Sequence, residues 1–297
     1  MKIGIPKGLL SFKYNVFFNT FFKELGVEVI NSTDTNKSIL NKGTKYCVDD
    51  ACLPIKIFHG HVDSIKNQCD LMLIPRIMEI KNKHICPKFC GLPEMIENSI
   101  PDMPKCITYP LYLNSYKTLN RWSIKAGLCI TKNLFKIQKA FKIAYEAQNN
   151  FSTGINTLGK SKLNIALLGH PYNVYDTYVN MNISKVLDKF NIGIATEEVV
   201  NRKDISIECN SLFKKPFWIF AQNSYGAAVN LARNKKVDGI IYVSSFACGI
   251  DSIVIELIKN KLTNFPILIL KIDEQTGEAG FHTRIEAFVD MLERRCG

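Results

Sequence analysis

Ten cysteines are spread over the 297-residue chain, and three of them stand where a thiolate is presented rather than packed. Cys52 lies in Asp49-Asp50-Ala51-Cys52-Leu53-Pro54, directly before a predicted helix with Pro54 in its first turn. A helix N-terminus stabilises the thiolate, the form that binds metal. Cys86 lies in His84-Ile85-Cys86-Pro87-Lys88-Phe89-Cys90-Gly91, and Cys248 in Ser244-Ser245-Phe246-Ala247-Cys248-Gly249, where Gly249 permits close backbone approach. Iron–sulfur clusters take cysteine thiolates, and a cubane usually takes four. Cys90, in a C-x3-C pair with Cys86, is the fourth candidate. Taken singly, each cysteine reads as a small buried hydrophobe; the shared loop context sets Cys52, Cys86 and Cys248 apart as a joint metal centre. Zinc is the rival metal, but neither C-x2-C nor H-x3-H occurs. Cys47, Cys69, Cys106, Cys129, Cys209 and Cys296 lack that context and are expected to pack or to lie exposed.

Other polar residues carry weaker signals. His170, in Gly169-His170-Pro171-Tyr172-Asn173 after a predicted strand, has the chemistry of a ligand donor or catalytic acid, and equally of a loop-stabilising histidine. Glu274 and Glu278 follow another strand, where Glu278 is a second catalytic candidate, although loop carboxylates commonly cap helices or stay solvated. His59 and His61 are two residues apart on one predicted helix, so at most one is expected to point inward. Gly154 to Ser161 matches G-x-x-x-x-G-K-[ST]. That motif needs a strand before it and a helix after it, and here the order is reversed, so a linker is expected.

The elements that must position these residues recur in a pattern. Strand Lys2 to Ile5, helix Tyr14 to Leu25 and strand Val27 to Ile30 are echoed by strand Leu163 to Leu168, helix Val179 to Phe190 and strand Ile192 to Ala195. Helix Leu53 to Lys66 leads into strand Leu71 to Ile74, as helix Tyr225 to Arg233 leads into strand Gly239 to Val243. Further strands are predicted at Cys106 to Thr108 and Pro266 to Leu270, with a closing helix from Thr283 to Arg294. One long basic helix runs around Lys117 to Lys142 and breaks near Asn149 to Gly154. The expected fold is α/β: two Rossmann-like domains, residues 1–155 and 156–297, each a mostly parallel sheet flanked by helices. Ligands bind outside the carboxyl ends of such strands. Two candidate cysteines from the first domain and one from the second then suit a metal site at the domain interface.

Composition bounds the function. Apolar residues make up 46% and charged residues 22%, an ordinary globular balance for two domains. Net charge is +11, with 22 Lys and Arg against 12 Asp and Glu in residues 1–160 but 16 against 15 in residues 161–297. A basic first half is a solvated surface or a dock for an acidic partner or phosphorylated ligand. Nucleic acid is not expected, because no reading helix, stacking motif or basic tail accompanies the charge. The N-terminus carries no secretory signal, so the cysteines point to a reducing, cytoplasmic setting. The longest apolar stretch, Gly239 to Ile258, contains Asp251 and Glu256 and is no membrane span.

Six motifs in order then carry a resemblance over nearly the whole chain: Asp50-Ala51-Cys52-Leu53-Pro54, His59-Gly60-His61-Val62, Ile85-Cys86-Pro87-Lys88, Leu168-Gly169-His170-Pro171-Tyr172-Asn173, Ser244-Ser245-Phe246-Ala247-Cys248-Gly249 and Gly277-Glu278-Ala279-Gly280. Together they resemble the acyl-CoA dehydratase activase-related proteins, relatives of the 2-hydroxyacyl-CoA dehydratase subunits and of double-cubane cluster proteins. The resemblance implies an oxygen-sensitive iron–sulfur protein of anaerobic metabolism, with a [4Fe-4S] or double-cubane cluster on Cys52, Cys86 and Cys248. It implies low-potential electron transfer or reductive chemistry on a CoA thioester, driven by a separate ATP-dependent activator. The family pattern does not require a cysteine at Cys90. A non-catalytic, cluster-bearing scaffold that recruits an activator or dehydratase is the alternative. ATP hydrolysis by the chain itself is not expected, and a homo-oligomer is compatible with the sequence.

Overall fold

The computed structural model describes every residue except Lys160 and Gly297, and the side chain of Cys296. The chain forms two compact units, Met1–Ser152 and Thr153–Gly297. In the first, β1 (Lys2–Ile5) is followed by α1 (Ser11–Glu24), β2 (Glu28–Asn31), α2 (Lys37–Thr44), α3 (Leu53–Ile65) and β3 (Leu71–Leu73). Next come β4 (Arg76–Ile80), β5 (Lys83–His84), α4 (Pro87–Cys90), α5 (Leu92–Ser99), β6 (Lys105–Ile107), β7 (Pro110–Leu113), α6 (Tyr116–Leu128) and α7 (Leu134–Asn149). The second unit contains β8 (Leu163–Gly169), α8 (Pro171–Tyr175), α9 (Ile183–Lys189), β9 (Ile192–Ala195), α10 (Arg202–Asn210), α11 (Ile219–Arg233), β10 (Gly239–Ser245), α12 (Gly249–Lys261), β11 (Ile267–Ile272) and α13 (Glu278–Cys296).

Both units are built on a four-stranded parallel sheet, ordered β2-β1-β3-β6 in the first and β9-β8-β10-β11 in the second. The same 2-1-3-4 winding therefore occurs twice, and the fold is α/β with Rossmann-like units, as the repeated strand and helix order predicts. The central strands β3, β8 and β10 are apolar and almost wholly buried, as strands covered on both faces must be. In the first unit Phe17, Phe18, Phe21 and Phe22 of α1 form one buried face. Trp122 of α6 and Phe141 of α7 close on it, with ring centroids 5.5 Å apart for Phe18–Trp122 and 6.3 Å for Phe17–Phe141.

Several elements differ from the sequence expectation. The basic segment is two helices rather than one; it breaks after Leu128, and Asn133 restarts it by accepting a bond from the Lys136 amide. Gly127 sits so close to Ile137 that a Cβ there would approach within 2.8 Å, which is what lets the two helices fold back on each other. The helix expected from Val179 begins at Ile183, because Met181 and Asn182 adopt positive φ. A small sheet ordered β5-β4-β7, with α2, α5 and α10, has no counterpart in the periodic reading. The segment before β8 is tethered rather than loose: Asn156 bridges Ala195, and the Thr157 amide bonds the Ile194 carbonyl. A strand follows it, so the phosphate-loop context is absent among the described residues, and Lys160 of that pattern lies outside them.

Contrary to the spacing argument, His59 and His61 are both buried, at 1% and 0% exposure. Spacing separates an inward from an outward residue only on a helix with one solvated face, whereas α3 is enclosed nearly all round. Their rings do diverge: His61 Nδ1 meets Ser32 Oγ at 2.9 Å and Nε2 meets Thr35 Oγ1 at 3.0 Å, while His59 Nδ1 reaches the Ile55 carbonyl at 2.8 Å. Helix α2 packs on α3 through Gly43 and Gly60, where an added Cβ would lie 1.7 Å from the Lys56 carbonyl oxygen and 1.9 Å from that of Ile39.

Gly60→Ala is therefore expected to cost at least ~1–3 kcal/mol, because backbone must move to admit the methyl; urea unfolding reads the loss. Burial, with Lys7 nearby, holds the His61 pKa down at about 3 against the pull of Asp34. The unfolded chain then binds a proton that the folded chain refuses, so stability falls as pH drops from about 6.5 toward 3. Urea midpoints should fall across that window less steeply in His61→Gln than in the wild type.

Candidate metal centre

Parallel strands run to a common carboxyl edge, and each helix that alternates with them begins at that edge. Cys52, Cys86 and Cys248 each stand immediately before the first helical residue, of α3, α4 and α12, and His170 stands likewise before α8. Cys52, His170 and Cys248 have extended backbone angles, and none of the four caps its own helix with its side chain. Pro54, Pro87 and Pro171 occupy first-turn positions after three of them, where the absent N–H costs nothing. The unsatisfied amides of a helix start carry partial positive charge and favour an anionic ligand beside them.

In the first unit, Lys88 Nζ lies 3.5 Å from Cys52 Sγ, which ties the turn carrying Cys86 to the start of α3. Both thiols are partly exposed and neither is in a disulfide. Lys56, itself buried, holds the loop before Cys52 by donating from Nζ to the Asp49 carbonyl at 2.8 Å. Cys47 lies near Cys52, and burial pushes its thiol up to about 11 despite Lys56 and Lys88. It is thus poorly suited to act as a thiolate. Cys90 is partly exposed at the far end of α4, one helical turn from Cys86, and Arg76 Nη1 donates to its carbonyl at 3.0 Å. A narrow apolar cleft with a cavity volume of about 30 Å³ lies at the ends of β1 and β3. Phe58 of α3 and Phe89 of α4 form part of its wall. The strand order reverses between β1 and β3, the position where open parallel sheets bind ligands.

The corresponding reversal in the second unit lies between β8 and β10, where His170 and Cys248 follow the two strand ends. Asp251 of α12 joins them, and one ligand atom from each of the three lies within 4.8 Å of the others. His170 Nδ1 is 3.3 Å from Asp251 Oδ2 and 3.8 Å from Cys248 Sγ. Tyr242 donates from its hydroxyl to Asp251 Oδ1 at 2.7 Å. Burial alone would keep His170 neutral, but Asp251, and secondarily Cys248, raise its pKa well above the ordinary histidine value. Burial likewise opposes charge on Asp251, yet His170 and the Tyr242 bond hold its carboxyl below the usual range. Burial and then Asp251 push the Tyr242 phenol upward. A cysteine-nucleophile relay is not formed, since that needs the thiol and the carboxylate on opposite ring nitrogens and here both face Nδ1.

Glu278 is not in this group: it begins α13, is 70% exposed and pairs with His282 at 3.8 Å. Sequence reasoning missed Asp251, Tyr242 and the neighbourhood of Cys47. The signal for Asp251 was its position three residues after Cys248, one turn into the helix that the cysteine opens; Tyr242, inside an apolar strand, gave none. The donor types fit an iron–sulfur cluster, which is held by cysteine sulfurs, and Cys52, Cys86 and Cys248 are free and partly exposed.

These features define a pair of Rossmann-like units carrying thiols at their ligand edges. The chain belongs to the family described as "CoA enzyme activase uncharacterised domain", which matches residues 2–200. Residues 179–292 match the family described as "2-hydroxyglutaryl-CoA dehydratase, D-component", so the chain is 2-hydroxyacyl-CoA dehydratase-like. No curated protein matches its sequence. Among solved structures, a Mn-bound periplasmic metal binding protein from Candidatus Liberibacter asiaticus aligns over 99% of both chains at 11% identity, with a TM-score of 0.30. Among the described residues no helix is long and apolar enough to cross a membrane.

Tyr242→Phe removes the donor to a fully buried carboxylate oxygen and is expected to destabilise the second unit by ~1–3 kcal/mol. Chemical unfolding followed by circular dichroism checks this.

Proposed function

We propose that this chain is an iron–sulfur protein of anaerobic metabolism that takes part in low-potential electron transfer or reductive chemistry on a CoA thioester. Cys52, Cys86 and Cys248 are its cluster ligands, with Cys90 as the fourth candidate. The observation that carries the reading is the common placement of the three thiols: each stands directly before the first residue of a helix, Cys248 at the carboxyl end of the parallel strand β10. Lys88 reaches Cys52 from the turn that carries Cys86, with Nζ 3.5 Å from Sγ. When bound, a cluster supplies one-electron chemistry and, where an iron lacks a protein thiolate, an open coordination position.

The apolar lining of the narrow cleft at the β1 and β3 ends supports a substrate with an apolar part, such as the acyl group of a thioester. The family membership supports a separate ATP-dependent activator as electron donor. A scaffold role is favoured by one further observation: Lys117, Arg121 and Lys125 are exposed at four-residue spacing along α6, a basic stripe suited to an acidic partner.

Substitution of the thiols tests the assignment. In protein prepared without oxygen, Cys52→Ser, Cys86→Ser and Cys248→Ser should each lower bound iron and labile sulfide by more than half, while Cys129→Ser should leave both unchanged. Iron content that is indifferent to all three substitutions would refute these ligands. An unchanged cluster spectrum in Cys90→Ser would exclude Cys90.

A further inference from the structure

The second unit spends three fully buried polar side chains on a single partly exposed sulfur. Tyr242, Asp251 and His170 are 1%, 0% and 2% exposed, and they form a chain of contacts of 2.7 and 3.3 Å that ends 3.8 Å from Cys248 Sγ. Enclosing such a charged pair is costly, and an apolar set of the same volume would pack at least as well. The His170 ring is held in place on two sides, stacked on Tyr172 at 5.2 Å and met edge-on by Phe220 at 5.6 Å. Its Nδ1 faces a carboxylate oxygen and a sulfur, both electron-rich. A lone pair there would be repelled by both, so Nδ1 carries a hydrogen. Hydrogen bonding of this kind fixes which ring nitrogen is protonated.

We propose that His170 is a positioning residue: oriented by Asp251 and Tyr242, it donates from Nδ1 to the Cys248 sulfur, fixing its direction and withdrawing electron density from it. The effect on a bound cluster rests on the function proposed above, whereas the contact with Cys248 does not. Hydrogen bonds to ligand sulfurs are among the levers that set cluster potential, and removing one leaves more charge on the sulfur and lowers that potential.

Potentiometry on the reconstituted full chain tests the first arm. Asp251→Asn and His170→Leu should lower the cluster potential at unchanged iron content, and Tyr242→Phe should lower it less. In His170→Asn the side-chain amide nitrogen takes the place of Nδ1, so the wild-type potential should return. Metal-free protein tests the second arm through the rate at which Cys248 is alkylated, followed on its peptide by mass spectrometry. That rate should fall several-fold in His170→Leu and recover in His170→Asn.

A cluster that loads normally but keeps its potential in Asp251→Asn and His170→Leu would overturn the proposal and leave the cluster reading intact. Failure to load iron, with the alkylation contrast preserved, would refute the cluster reading and support the donor role. Cobalt(II) added to the metal-free Cys52→Ser/Cys86→Ser double variant provides a third readout. Thiolate-to-metal absorption bands that require both His170 and Asp251 would make the three residues ligands of a single ion, which also overturns the proposal.

Discussion

Strand direction is the constraint on which the rest of the structure depends. Once β1, β2, β3 and β6 run parallel, and β8 to β11 do the same, every return helix must start at the carboxyl edge. That edge collects exposed amides and partial positive charge without help from any particular side chain. Cysteine at such a start is held beside the charge that favours its thiolate. The two units use one winding order, so the point where that order reverses exists twice. In the first unit it opens an apolar cleft, and in the second it holds a buried polar group.

The energetic character of the two reversal points differs accordingly. The first is lined by Ile5, Leu73, Phe58 and Phe89, apolar side chains around a narrow cleft. The second encloses His170 and Asp251, whose mutual attraction must offset the desolvation of both. Such a pair stays in place only because the strands and the aromatic neighbours of His170 fix it.

Much of the fold was legible in the sequence because apolar runs such as Leu163 to Leu168 and Gly239 to Val243 are buried on both faces and broken by turns. The small β4, β5 and β7 sheet was not, since strands of two to five residues leave no readable period. The pair His59 and His61 misled for a similar reason: spacing reports which residues share a face, whereas burial of the whole helix depends on Gly43 and Gly60 admitting α2. At the candidate site, Pro and Gly neighbours marked Cys52, Cys86, Cys248 and His170 because those neighbours shape helix starts. Asp251 and Tyr242 act through contacts that only the folded chain creates, and Glu278, equally visible in sequence, stands on the surface beside His282.

The most direct measurement is of iron and acid-labile sulfide per chain, with an electron paramagnetic resonance spectrum, on wild-type protein purified without oxygen. The account predicts about four of each for a cubane, or about eight for a double cubane, with a signal on reduction. Absence of iron and sulfide, persisting after anaerobic reconstitution, would contradict it and return Cys52, Cys86 and Cys248 to the role of packing residues.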